Sequence, residues 1–217
     1  DQVLTSDGTD LSWEDAGGGG LSAGDVIGVD DGSVSAPGLS FADDLNNGLY
    51  KLTTDSWAMA AAGAKVWGVT AAGEIDMPLQ PSFMAQPNAT QSNIAVASAT
   101  TIVFDTERYD VGSNFASNTF TAPVTGKYLF CVNIEHNAID SDADSYNVKL
   151  VASNRTFAPW VIVPGGFDQD VNLYPTSFST HMDMDASDTA YVQFLQTGGT
   201  QQTDISVSSF FTGSLVS

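Results

Sequence analysis

Apolar and polar residues alternate with a period of two through the second half of the chain. From Lys127 to His136, the residues Tyr128, Phe130, Val132, Ile134 and His136 fall on one side of an extended strand. That side faces a core, with His136 in phase with it and Cys131 on the opposite side. From Ser177 to Asp185, Phe178, Thr180, Met182 and Met184 alternate with Ser177, Ser179, His181 and Asp183, the pattern of a sheet with one wet face. A turn at Asp185-Ala186-Ser187-Asp188 returns the chain, and Ala190 to Leu195 and Ser208 to Val216 supply two further strands with Gly198-Gly199 between them. Helical periodicity is absent, so the spacing predicts an all-β sandwich or barrel.

The alternation is shorter before Pro78, which marks the expected boundary of a head spanning residues 78–217. Residues 1–37 hold a hairpin signal, with Gln2 to Trp13 placing two short strands around Asp7-Gly8, followed by the Gly17 to Gly20 run. The run reads as a flexible linker, or else as a close backbone approach to a partner chain. Residues 38–77 carry strand-length segments at Leu39–Ala42, Gly48–Leu52, Trp57–Ala60, Lys65–Val69 and Glu74–Met77, separated by turn residues. Segments this short are not expected to bury a face each within one chain. Three chains wound about one axis would do so, and the segment is expected to be an intertwined trimeric β-prism, the shaft of a fibre.

The chain has 217 residues, 42% of them apolar, enough for a real core. Six Lys and Arg stand against 26 Asp and Glu, a formal charge of −20, so phosphate backbones and anionic membranes are repelled. Neither nucleic acid nor membrane insertion is expected, and no run approaches the ~20 apolar residues of a membrane span. The opening Asp1-Gln2-Val3-Leu4 has no initiator Met and no basic, apolar leader, so the chain is expected to be a soluble fragment of something longer. Cys131 is alone, which excludes an internal disulfide and a cysteine-built zinc site, and reads as a packed, inert thiol.

Two resemblances are carried by specific residues. Phe104, then Phe120-Thr121-Ala122-Pro123-Val124-Thr125-Gly126-Lys127-Tyr128-Leu129-Phe130, resembles the "F-T-A-P-x-x-G-x-Y-x-F" signature of the complement-1q and tumour-necrosis-factor family. The closing Ser209-Phe210-Phe211-Thr212-Gly213-Ser214-Leu215 is similar to that family's "S-x-F-x-G-x-L" strand. Physically, Pro123 and Gly126 make the tight corner into a core strand, and Gly213 avoids a side chain where the sheet is crowded. The resemblance implies a jelly-roll β-sandwich of ten strands and a tight homotrimer. Independently, Gln2 to Gly8 with Trp13 resembles the "QVLTSDG…W" segment of phage fibres, and Leu39 to Tyr50 resembles their "SFASDxxTGxY" segment. The segment from Ser153 to Pro175 departs from the family pattern by its length and its Gly, Pro and aromatic content.

Candidate chemistry is sparse. Asp140, Asp142 and Asp144 alternate as carboxylates that could converge on calcium, but Ser145 and Val151 stand where a calcium-binding helix-loop-helix needs Gly and a bidentate acid. An exposed acidic turn is the plainer reading. Phe157, Trp160, Phe167 and Tyr174, with Asp168 and Asn172 nearby, form an aromatic loop suited to stacking on a sugar, unless the rings fill a subunit interface or the sandwich edge. His136 and His181 lie on different sides of different strands. No nucleophile elbow, phosphate-cradling loop or carboxylate pair is present, so no enzymatic activity and no cofactor are expected. The sequons Asn88-Ala89-Thr90 and Asn154-Arg155-Thr156 should be silent in a protein made in bacteria.

Together these imply a virion structural protein on the particle surface. It is a homotrimeric phage fibre, held to other virion proteins by its N-terminal segment and touching a host glycan or protein through its head. A capsid head fibre or decoration protein of the same fold, and a secreted bacterial lectin-like adhesin, are the alternatives.

Overall fold

The computed structural model describes residues 2–6, 11–15 and 29–217. The Asp7-Gly8 turn and the Gly17 to Gly20 run lie outside the described residues. The chain divides into two units, residues 1–75 and 76–217.

In the first unit, β1 (Gln2–Ser6) pairs antiparallel with β2 (Leu11–Asp15), Gln2 opposite Asp15. A small hairpin follows, β3 (Gly32–Ser33) with β4 (Ala36–Pro37). Then β5 (Leu39–Phe41), β6 (Asp44–Thr53), β7 (Ser56–Ala61), β8 (Ala64–Val69) and β9 (Ile75–Asp76) form a five-stranded sheet in chain order. Ala62 and Gly63 both take positive φ between β7 and β8, the backbone that a two-residue hairpin requires. Each of these strands hydrogen-bonds its sequence neighbour, and the expectation that segments this short bury no face within one chain is therefore corrected for one side of the sheet. What lacks a partner is a face. Tyr50, Ala58 and Ala60 form one buried side with Val34 of the β3–β4 turn packed against them, and the opposite side is open.

The second unit is a jelly-roll sandwich. Its strands are β10 (Ser82–Gln86), β11 (Thr100–Thr101), β12 (Thr106–Val111), β13 (Phe115–Ala116), β14 (Thr119–Thr121), β15 (Gly126–Ile139), β16 (Ala143–Ala152), β17 (Thr156–Ile162), β18 (Val171–Met184), β19 (Thr189–Gly198), β20 (Asp204–Ile205) and β21 (Phe210–Leu215). One sheet runs β12-β10-β21-β15-β18, with β20 beside β15. The other runs β13-β14-β19-β16-β17, with β11 beside β19. The one helical element among the described residues is a 3-10 turn at Pro164–Gly166.

The signature residues meet between the sheets. Phe120 lies 5.3 Å from Tyr128 and 5.6 Å from Phe130, and Phe130 lies 5.7 Å from Phe211, which itself touches Phe104 at 5.9 Å. All five rings are buried, and each contributes about 1.5–3 kcal/mol of apolar burial. The Pro123–Gly126 corner is closed by the Tyr128 hydroxyl, which donates to the Val124 carbonyl at 2.8 Å. Gly213 answers to the same cluster, since a Cβ there would sit 2.6 Å from Phe130 Cδ1. Leu215 next to it packs half-buried against the core.

The two ends of the sandwich differ. At the Gly126 end of β15 the chain enters, with the Leu215 N–H donating to the Pro81 carbonyl at 3.0 Å, and the 153–155 and 185–188 turns lie there too. At the Ile139 end, the 140–142, 164–170 and 199–203 loops gather.

Candidate functional site

The far loops are held by aspartates acting on backbone amides. Asp140 Oδ2 accepts from the N–H groups of Thr200 and Gln201 at 2.7 and 2.8 Å, and Oδ1 accepts from Asp142 at 2.9 Å. These donors, Gln201 first, hold its carboxyl below the usual carboxylate range. The approach is so close that a Cβ at Gly199 would stand 2.4 Å from Oδ2, and Gly199 has φ +74°. Asp170 Oδ1 takes the N–H and hydroxyl of Ser141 at 2.9 and 2.8 Å. Asp204 and Asp105 clamp the amides of Asn93 and Asn88 in the same way.

This arrangement bears on the calcium candidates. Asp140 is buried and its oxygens already bind amides, while Asp142 and Asp144 are exposed. Among the described residues no group of three His, Cys, Asp or Glu is placed to hold a metal ion. The sequence pattern brought together carboxylates that the fold sends to different tasks.

The expected aromatic loop is corrected in part. Phe157 lies on β17, Asn172 and Tyr174 lie on β18, and only Phe167 and Asp168 are in the connection. Phe157 packs on Phe178 at 5.9 Å and Phe167 on Tyr174 at 5.7 Å, all four half-buried against the core. Trp160 pairs its backbone with Val148. Asp168 and Asn172 are exposed. Phe157, Phe167 and Tyr174 thus close the sandwich edge, and the solvent-facing groups of the segment include Asp168, Gln169, Asn172 and the apolar Val161, Val163 and Leu173.

His136 is fully buried, with Nε2 sharing a hydrogen bond with Thr176 Oγ1 at 3.2 Å and its ring 5.3 Å from Phe194. Nδ1 has no hydrogen-bond partner among the described residues, and burial pushes the imidazole down to about 4. It is a neutral core side chain. His181 is exposed on the opposite side of its sheet.

Two further surfaces were not singled out from sequence. The outer side of the β10-containing sheet carries a cross-strand row of Tyr109, Met84, Thr212, Cys131 and Ser179. Beside it lies the row of Ser82, Ser214, Leu129 and His181. Cys131 therefore sits half-buried on an outer face, and not in the core. Neither row holds a carboxylate, and Glu135 and the Lys127–Asp183 pair stand on the same side further along β15 and β18. The second surface is the β17–β18 edge, where Val161, Val163 and Leu173 are 49%, 65% and 55% exposed. Strand alternation could have shown the first surface, but the edge needed the strand order.

Among solved structures, the chain is similar to the globular domain of zebrafish complement 1qA, at 15% identity over 64% of this chain and 98% of that one, with a TM-score of 0.46. It is also similar to murine APRIL, at 11% identity over 63% of this chain and 99% of that one, with a TM-score of 0.45. No curated protein sequence matches it. Residues 82–216, from the first strand of the sandwich to the last, match the family model of the C1q domain, and the chain belongs to the C1q domain family.

Proposed function

We propose that the chain is a homotrimeric fibre protein of a bacteriophage particle, whose C1q-type head contacts the host surface. C1q-type domains form homotrimers and serve as binding modules. The observation that carries the trimer is the pair of unlike surfaces on the sandwich, a sheet face whose two central cross-strand rows hold no carboxylate and an apolar strand edge. A contact of edge against face is heterologous, and repeated about a three-fold axis it closes a ring of three. The phage reading is supported by the residues of 2–13 and 39–50 that resemble fibre segments ahead of the head.

Host contact falls to the loops opposite the point of chain entrance. Asp168, Gln169 and Asn172 present carboxylate and amide groups there, on loops stiffened by the Asp140 and Asp170 clamps. Such groups match the hydroxyls of a neutral glycan, whereas a phosphate-rich ligand meets a chain of charge −20. Purified chain should compete with the particle for adsorption to host cells. The Asp168→Ala/Asn172→Ala variant, at unchanged oligomeric mass, should compete about tenfold less well, a difference of ~1.4 kcal/mol. Equal competition by the variant would contradict recognition at these loops. Immunogold labelling confined to the capsid would contradict the host-contact role and return the capsid head fibre.

A further inference from the structure

We propose that the open face of the β5–β9 sheet is a contact between copies of this same chain, so that residues 39–69 of three chains pack on one another. This rests on the trimer reading above and adds to it a second interface, separate from the head.

Register places Leu39, Leu49, Met59 and Trp67 in one cross-strand row. Lys51, Trp57 and Val69 stand in the next row, and the Trp57 and Trp67 rings meet edge to face at 5.0 Å. Leu39 is 54% exposed and Trp57 41%. Leu39, Phe41, Leu49 and Met59 wall a cavity of about 310 Å³, room for a large apolar side chain. The other face offers no comparable surface, because the β3–β4 turn already covers Tyr50, Ala58 and Ala60. One tyrosine and two alanines are a small core for a five-stranded sheet, so covering the open face supplies the burial it lacks.

Charge identifies the occupant. Between residues 38 and 76 the acids are Asp43, Asp44, Asp55, Glu74 and Asp76, all in turns or at strand ends, and neither cross-strand row contains one. A second copy carries the same −20 and is repelled by most of this molecule, but not by this face. A basic partner would meet Lys51, already paired with Asp31 at 3.1 Å, and would be drawn instead to the acidic remainder. Only residues 77–81 separate β9 from β10, so a head trimer holds three copies of this sheet on short tethers, at an effective concentration of the millimolar order.

The test uses the full chain with Met59→p-benzoylphenylalanine, prepared as a mixture of light- and heavy-isotope chains and irradiated. Mixed-isotope cross-links landing within residues 39–69 of another chain are expected, and Leu49→Asp, which puts a carboxylate on the face, should cut their yield about tenfold. Cross-links confined to the same chain, or none, in a sample whose mass is trimeric would overturn this inference and leave the head trimer intact. A monomeric mass would overturn the trimer reading and this one with it.

Discussion

The Asp140 carboxylate binds three backbone amides contributed by two loops, and it does so at the base of the surface assigned to host contact. Removing it leaves those N–H groups to find water in a crowded turn. Asp140→Ala is expected to lower stability by about 2 kcal/mol, or roughly 4–8 °C in Tm, read by calorimetry. An unchanged Tm would show that the amides are as well served by solvent. His136 gives a pH prediction with a definite sign. Its folded value of about 4 lies below the ordinary ~6.5, so the unfolded chain binds the proton more readily. Its contribution is complete above pH ~6.5, falls as pH drops towards ~4, and is level below that, an effect of about 3 kcal/mol. Plots of Tm against pH should show this slope, and His136→Gln should flatten it. A slope of equal size in the variant would assign the acid response to other groups.

At the scale of elements, Gly213 shows how one strand answers to its two neighbours in the same sheet, where Phe83 and Phe130 stand directly opposite it. A methyl there would meet Phe130 at 2.6 Å and Phe83 at 2.8 Å, so Gly213→Ala is expected to cost about 1–3 kcal/mol of overpacking, measured by denaturant unfolding. Full stability in the variant would mean that β21 can shift away from its neighbours. The strands themselves were legible to different degrees. The alternation read from Lys127 to His136 is found within β15, Gly126–Ile139, because each inward position there is apolar or a buried histidine. The aromatic segment within residues 153–175 read as a loop because of its Gly and Pro content, yet Pro159 and Pro175 both lie in strands. β17 and β18 are sheet edges, where a residue without an N–H costs no ladder bond. The Asp140 site was illegible for another reason. Its partners Thr200 and Gln201 stand 60 and 61 residues away, and no local pattern records that meeting. The sequence instead drew the eye to Asp142 and Asp144, which are near in the chain and apart in purpose.

At the scale of the whole molecule, the acidic charge and the open faces form one pattern. A chain of −20 keeps copies apart wherever carboxylates project, and the surfaces without them include the two central rows of the head's outer sheet face and the apolar rows of the meander's open face. Both are explained if three chains meet there, and neither has a role in a lone chain. Light scattering after size-exclusion chromatography of the full chain, at micromolar concentration and physiological salt, tests this most directly. The account predicts a particle of three times the 22.7 kDa chain mass. A mass of one chain under those conditions would contradict it.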